Sequence, residues 1–152
     1  MQVYGIDLSM EKFDVNFIGE KGKKKNKQVK SNICVIGIGS NIEPHENIRR
    51  AIELVSEEAQ ILSLSSFVIT KPIGTIKQPD FLNGAVKVCT NLSKTKFKEF
   101  LRSVEDDMGR DRSIGPYGPR NIDLDIVVWN GKIIDSDYYQ RDFLKKTVDE
   151  LI

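Results

Sequence analysis

Two aspartates, Asp123 and Asp125, interrupt an apolar stretch near the end of the sequence, GPRNIDLDIVVW, residues 118 to 129. The stretch is typical of a β-strand, on which residues two positions apart point to the same face. We therefore expect the two carboxylates to lie side by side. Like charges this close repel each other, and burying them without a positive partner costs several kcal/mol. The spacing predicts a cation at this position.

Three arginines in the preceding loop, Arg110, Arg112 and Arg120, are one candidate for that positive charge. A divalent cation is another, and ordinary ion pairs on a solvent-facing strand are a third interpretation. Three arginines exceed what two carboxylates need, which indicates that a further anion arrives as a ligand. Magnesium fits, because one or two carboxylates typically hold it while water and substrate phosphates complete its shell. We interpret this half of the chain as a magnesium-dependent nucleotide phosphotransfer site, in which arginines neutralise the transferred group.

Other reactive residue types give little support for a different chemistry. Cys34 and Cys89 lie in apolar, strand-like runs without a CxxC motif or a Cys/His cluster, so we expect reduced, buried and inert thiols. His45 is the only histidine and follows Pro44 at a helix start, which favours an exposed residue over a catalytic one. No GxxxxGK[ST] phosphate loop is present, and the GIGSN turn is a weak glycine signal that favours tight packing.

The totals bound the class of protein. The chain has 152 residues, which suits one domain with a real core, and its formal net charge of +1 gives no global attraction to nucleic acid or anionic membranes. Charged residues interrupt the apolar positions of the first twenty residues, unlike a signal peptide, and no apolar run approaches the roughly 18 residues of a membrane span. We expect a soluble, cytoplasmic protein, with a monomer favoured.

The apolar pattern also predicts the elements that must position the charged residues. The elements are a strand at 33–39, a helix at 44–59, strands at 61–70 and 81–90, a helix from a Ser93 cap to about Met108, the aspartate strand, a short strand at 132–134 and a terminal helix within 141–152. Strand, helix, strand, strand, helix, strand is the ferredoxin-like βαββαβ order. We therefore predict an α+β fold, a largely antiparallel sheet with helices packed on it.

Four motifs occur in chain order: GIGSNIEPHENIRRAI, SSFVITKPIGTIKQPDFLNGAV, EDDMGRDR and GPRNIDLDI. Together they resemble the 6-hydroxymethyl-7,8-dihydropterin pyrophosphokinases of folate biosynthesis, from residue 33 to about residue 130. The resemblance implies transfer of the β,γ-diphosphate of ATP to the hydroxymethyl group of the pterin, with release of AMP. It also implies a pyrophosphokinase domain at 33–152 behind an N-terminal extension at 1–32. A non-catalytic nucleotide or pterin-binding module derived from this fold is the alternative.

The resemblance implies roles for individual residues. Asp123 and Asp125 match the aspartates that hold two magnesium ions, and the three arginines match residues that attend the phosphates and act in catalysis. Glu105, Ile126 and Arg141 join these arginines as implied ATP contacts. The implied pterin contacts are Thr70, Lys71, Ile73, Phe81, Asn83, Tyr117 and Phe143. The loops KPIGTIKQPD and RDRSIGPYG match mobile loops that close over both substrates and exclude water.

The chain departs from this family in two regions. Tyr117 stands where the family usually has tryptophan, Phe81 replaces a common tyrosine, and a Pro-His pair expected after WNG is missing. One hypothesis is that Tyr138 or Tyr139 covers the nucleotide instead, and packing against the sheet edge is the alternative. The first thirty residues match nothing in the family.

The N-terminal segment YGIDLSMEKFDVNFI resembles the opening strands of RNase H-like transposases, with Asp7 at the position of a first metal ligand. The other acidic residues of that fold are missing, so we expect an appended hairpin or loose tail without nuclease activity. A lysine-rich exit, GEKGKKKNKQVK, follows and is typical of a solvated loop. A nucleic-acid-binding function through these lysines is disfavoured by the neutral total charge.

Overall fold

A computed structural model describes residues 3–4, 31–115 and 117–152. The predicted hairpin or tail, with Asp7 and the lysine-rich exit, lies outside the described residues apart from residues 3–4. The described strands are β1 (Val3–Tyr4), β2 (Asn32–Ser40), β3 (Gln60–Leu64), β4 (Phe67–Thr70), β5 (Phe81–Thr90), β6 (Asp123–Trp129) and β7 (Lys132–Ile133). The α-helices are α1 (Pro44–Val55), α2 (Lys94–Asp107), α3 (Asp137–Gln140) and α4 (Asp142–Asp149), and a 3₁₀ turn spans Arg112–Ile114.

The strands form one sheet in the order β1-β4-β5-β2-β6-β7, and β3 pairs with the other end of β5. All of the pairings between described strands are antiparallel. The side chains of β2 alternate between two cores. Ile36 and Ile38 pack with α1 and α2 on one face, whereas Val35 packs with α4 on the other. The predicted α+β fold is confirmed.

Two of the predicted elements differ from those observed. The first helix ends at Val55 rather than near residue 59, because the N–H groups of Glu57 and Glu58 donate to carbonyls only three residues back. The predicted strand at 61–70 is broken into β3 and β4. At the break, Ser66 leaves the ladder and donates from its backbone N and hydroxyl to the Glu150 carboxylate.

The helix cap was predicted correctly, since the Ser93 side chain accepts a hydrogen bond from the backbone N of Lys96. Cys34 is buried as predicted, and burial raises the pKa of its thiol to about 12. Cys89 is only partly buried, which corrects the prediction for that residue, because its strand face is incompletely covered. His45 is exposed, as predicted. Within the described part of the chain, no helix is long and apolar enough to cross a membrane.

Candidate active site

A cavity of about 390 Å³ opens where β2, β4, β5 and β6 approach the two long loops and the α3–α4 segment. This volume lies in the range of small-molecule pockets, about 300–1,000 Å³. Most of the predicted site residues line it: Thr70, Lys71, Ile73, Phe81, Asn83, Arg110, Tyr117, Arg120, Asp123, Asp125, Arg141 and Phe143. Glu105, Arg112 and Ile126 are not among the lining residues.

Two glycines of β2 form the floor of the cavity. Gly37 lies opposite Asp125 and Gly39 lies opposite Asp123 in the register of β2 with β6. A Cβ added at Gly39 would overlap the Asn83 side-chain oxygen, and one added at Gly37 would lie 3.2 Å from Leu144 Cδ1. The lack of a side chain at these two positions lets Asn83 and Leu144 pack directly on β2, which agrees with the tight packing that the sequence pattern indicated.

The two aspartates lie on the same wall of the cavity but have different partners. Asp123 Oδ1 accepts from Arg110 Nη1 at 3.1 Å, and its Oδ2 accepts from Arg120 Nη1 at 2.9 Å. Asp125 makes no direct hydrogen bond or salt bridge to any described residue; its side chain points into the cavity. The arginines therefore neutralise one carboxylate and leave the other available for a ligand or a cation.

The pKa of Asp125 reflects this imbalance. The pKa is raised to about 7, chiefly by burial in the concave site and also by the carboxylates of Asp123, Glu105 and Asp135, while Arg120 opposes the rise. The side chain keeps contact with solvent through the mouth of the cavity, yet protein surrounds it on the other sides. A cation bound beside Asp125 would lower this pKa again, because a nearby positive charge favours the ionised carboxylate.

Behind the cavity, the buried carboxylate of Glu105 on α2 organises the arginines. Its Oε2 accepts from Arg110 Nη1 at 2.9 Å and from the backbone N of Leu124 at 3.0 Å, and its Oε1 accepts from Arg112 Nη2 at 3.4 Å. Burial raises the pKa of Glu105, and the Leu124 N–H and the two arginines oppose that rise. Arg112 also pairs with Asp106 at 2.9 Å, at the exposed edge of the network.

The opposite end of the cavity combines aromatic rings with the side-chain amide of Asn83. The Asn83 side chain crosses above Gly39, and its Nδ2 donates to Thr70 Oγ1 at 2.6 Å. The rings of Phe81 and Phe143 are half-buried there, and Tyr117 is 55% exposed. Aromatic surface with a few fixed polar groups is typical of a pocket for a planar ligand.

Two further acidic residues of the cavity were missed by the sequence reasoning. Asp135 and Asp137 line the side nearest α3, where Asp137 pairs with Arg141 at 3.5 Å. The i, i+2 spacing in DSD was the available signal. The neighbouring tyrosines are placed differently from the hypothesis, because Tyr138 is buried with its hydroxyl donating to Asp149, and Tyr139 is 72% exposed outside the cavity lining.

The fold and the cavity define a class of α+β proteins whose open antiparallel sheet carries a small-molecule pocket with a carboxylate pair and arginines at one end. A family model described as 7,8-dihydro-6-hydroxymethylpterin-pyrophosphokinase (HPPK) matches residues 35–152. The chain belongs to this family, as the four motifs implied.

Curated relatives agree with the family match. The 2-amino-4-hydroxy-6-hydroxymethyldihydropteridine pyrophosphokinase of Bacillus subtilis is 36% identical over 110 residues, which cover 70% of this chain and 65% of that protein. The enzyme of the same name from Haemophilus influenzae is 34% identical over 105 residues, 67% of this chain and 65% of its own length. The chain thus spans less than two thirds of the length of these relatives.

Proposed function

We propose that this protein transfers the β,γ-diphosphate of ATP to the hydroxymethyl group of 6-hydroxymethyl-7,8-dihydropterin and releases AMP, as a step of folate biosynthesis. The observation that carries the proposal is a single cavity with two chemically different ends. Arg110, Arg120 and the two aspartates lie at one end, and Asn83 lies among aromatic rings at the other. The charged end suits a phosphate chain, and the aromatic end suits a planar heterocycle.

The residues present fit magnesium. Asp125 offers a carboxylate that makes no hydrogen bond to the described residues, and Asp123 lies beside it on the same strand face. The described residues contain no group of three or more acidic, histidine or cysteine side chains arranged to hold a metal. This agrees with magnesium, which is held by one or two carboxylates and takes its remaining ligands from water and phosphates. We expect two ions, which when bound would neutralise the phosphate oxygens.

The arginines would stabilise charge on the transferred group. Arg110 is fixed by Glu105 and Asp123, and Arg120 is fixed by Asp123, so both guanidinium groups are oriented before a ligand arrives. Preoriented cations stabilise developing charge without a reorganisation cost during the reaction. Arg112, held at the exposed edge by Asp106, would join them when its loop closes.

The remaining predicted contacts distribute over both substrates. Asn83 would accept from the pterin amino group through Oδ1, since its Nδ2 already donates to Thr70. Phe81, Tyr117 and Phe143 would contact the flat ring, and Lys71 and Ile73 would enclose it from the loop after β4. Exclusion of water matters because water competes with the pterin hydroxyl as acceptor of the diphosphate.

For ATP, Arg141 is the predicted contact that lines the cavity on the side of α3. Glu105 and Ile126 do not line the cavity. We propose that they affect ATP binding indirectly, Glu105 through the arginines that it holds and Ile126 through strand β6. We place the reaction in the cytoplasm. We expect a monomer, because one chain supplies both ends of the cavity.

The test is a reaction of the protein with magnesium, ATP and 6-hydroxymethyl-7,8-dihydropterin, with the nucleotides separated by ion-exchange chromatography. The proposal expects AMP in an amount equal to the pterin diphosphate and no ADP. ADP as the product would refute diphosphate transfer. Binding of both ligands without any AMP would support the non-catalytic module instead.

A further inference from the structure

We propose that Asn41 and Gln78 are positioning residues that fasten together the two loops on either side of the cavity. The pterin-side loop comprises residues 71–80, and the phosphate-side loop comprises residues 110–115 and 117–122. The inference rests on the proposed function for the identity of the two substrates, and on hydrogen bonds alone for the link between the loops. Neither Asn41 nor Gln78 lines the cavity.

Asn41 lies directly after β2 and is 3% exposed. Its Oδ1 accepts from the backbone N of Arg120 at 2.9 Å, and its backbone N donates to the Arg120 carbonyl at 3.2 Å. Its Nδ2 donates to the Pro79 carbonyl at 3.0 Å and to Gln78 Oε1 at 2.9 Å. One buried amide therefore binds the phosphate-side loop through its oxygen and the pterin-side loop through both of its hydrogens.

Gln78 completes the link on the solvent side of Asn41. Its Oε1 accepts from Asn41, and its Nε2 donates to the Tyr117 carbonyl at 2.6 Å. The loops also meet at a second point, because a Cβ added at Gly74 would lie 3.4 Å from Tyr117 Cβ. The contact between the loops thus runs from the buried end of β2 to the rim of the cavity.

This arrangement couples the two ends of the cavity. Lys71 and Ile73 belong to the pterin-side loop, whereas Arg110, Tyr117 and Arg120 belong to the phosphate-side loop. Buried polar atoms are strongly disfavoured when they lose their partners, so neither loop can move away without breaking bonds that end in the other. A ligand that orders one loop therefore also orders the other.

An asparagine is required at position 41 for a chemical reason. Aspartate would keep the acceptor for the Arg120 N–H but would lose both donors, and its oxygen would face the Pro79 carbonyl. Only the carboxamide supplies an acceptor on one side and two donors on the other at this length.

The decisive variant is Gln78→Glu, which keeps an acceptor for Asn41 and replaces the donor to the Tyr117 carbonyl by an oxygen. Gln78 is only half-buried, so this variant folds even if the buried Asn41→Asp change does not. The matched control is Lys77→Gln, which changes the charge of the same loop by the same amount at an exposed neighbour. We expect Gln78→Glu to raise the KM for the pterin and the KM for ATP together, each about tenfold, and Lys77→Gln to keep the wild-type values.

A KM change for the pterin alone would overturn the proposal, because Tyr117 itself contacts the pterin in the proposed function and such a change would show no effect that reaches Arg110 and Arg120. Amide hydrogen exchange of the ligand-free protein provides a readout that needs no activity. Peptides covering residues 110–122 should exchange faster in Gln78→Glu and at the wild-type rate in Lys77→Gln. Unchanged exchange in Gln78→Glu would refute the link, whereas faster exchange in a protein that releases no AMP would refute the proposed function and leave the link standing.

Discussion

Replacing Asp125 by asparagine should stabilise the metal-free protein and at the same time abolish diphosphate transfer. The carboxylate makes no hydrogen bond to the described residues, and burial together with Asp123, Glu105 and Asp135 raises its pKa to about 7. Its ionised form is therefore disfavoured in the folded protein. Asparagine has nearly the same shape and no charge, so it removes the repulsion while it also removes the proposed magnesium ligand.

The size of the effect follows from the pKa. A rise from 3.8 to about 7 is about three units, and at about 1.4 kcal/mol per unit this gives an upper limit of about 4 kcal/mol. Solvent reaches Asp125 through the cavity mouth and screens its interactions, which reduces the expected gain in the free energy of unfolding to about 1–2 kcal/mol. For a domain of this size, that gain corresponds to a Tm increase of about 3–8 °C.

The pH dependence has a defined direction. Because the folded pKa of Asp125 is raised, its protonated form contributes stability that is fully present below the unfolded value of 3.8 and is lost as the pH rises through about 7. The Tm difference between Asp125→Asn and the wild type should therefore be small near about pH 4 and reach its full size above about pH 7.

Thermal unfolding followed by circular dichroism, in EDTA and at several pH values, measures this difference. Asp107→Asn is the matched control, because Asp107 is an exposed carboxylate at the end of α2 and lies outside the cavity. Added magnesium should raise the Tm of the wild type and of the control but not that of Asp125→Asn. A Tm that falls in Asp125→Asn above about pH 7 would refute the reasoning, since it would mean that the carboxylate is favourably paired in the free protein.

Three other substitutions test separate parts of the site. Glu105→Gln keeps an acceptor for the Leu124 N–H but removes the charge that holds the arginines, so urea unfolding should show a loss of about 2–3 kcal/mol; an unchanged midpoint would contradict the role of that carboxylate. Gly39→Ala forces the Asn83 amide to move, so the KM for the pterin should rise at least about tenfold while the KM for ATP stays near the wild-type value. Tyr139→Ala should leave the KM for ATP unchanged, because the ring is exposed outside the cavity lining, and an increase would restore the hypothesis that it covers the nucleotide.

The local signals in the sequence were sufficient for much of the fold and for part of the site. The i, i+2 spacing of Asp123 and Asp125 placed both carboxylates on one face of β6, because strand geometry depends only on neighbouring residues. Ser93 marked the start of α2 for a similar reason, since its cap bond reaches only three residues ahead. Such features need no knowledge of which other elements lie nearby.

Other features depend on contacts between distant parts of the chain, which no periodic pattern records. The Asn41 side chain meets Arg120 across 79 positions, and Glu105 meets the Leu124 N–H across 19. The sequence indicated tight packing at Gly37 and Gly39, which the structure confirms, but glycines in a strand give no signal that they also line a cavity. Only the register of β2 with β6 places Gly37 and Gly39 opposite the two aspartates.

The charges of the cavity support the proposal that a metal binds together with the nucleotide. Arg110 and Arg120 are engaged with Asp123, and Arg141 is engaged with Asp137, so the arginines that line the cavity already have carboxylate partners. Asp125 adds negative charge that no direct salt bridge from the described residues offsets. A phosphate chain alone would therefore meet a wall whose positive charges are largely neutralised. In the proposed reaction, magnesium held at the aspartates would reverse this balance, because it would supply positive charge there, and Arg110 and Arg120 would act on the phosphates in the orientation that their carboxylate partners fix.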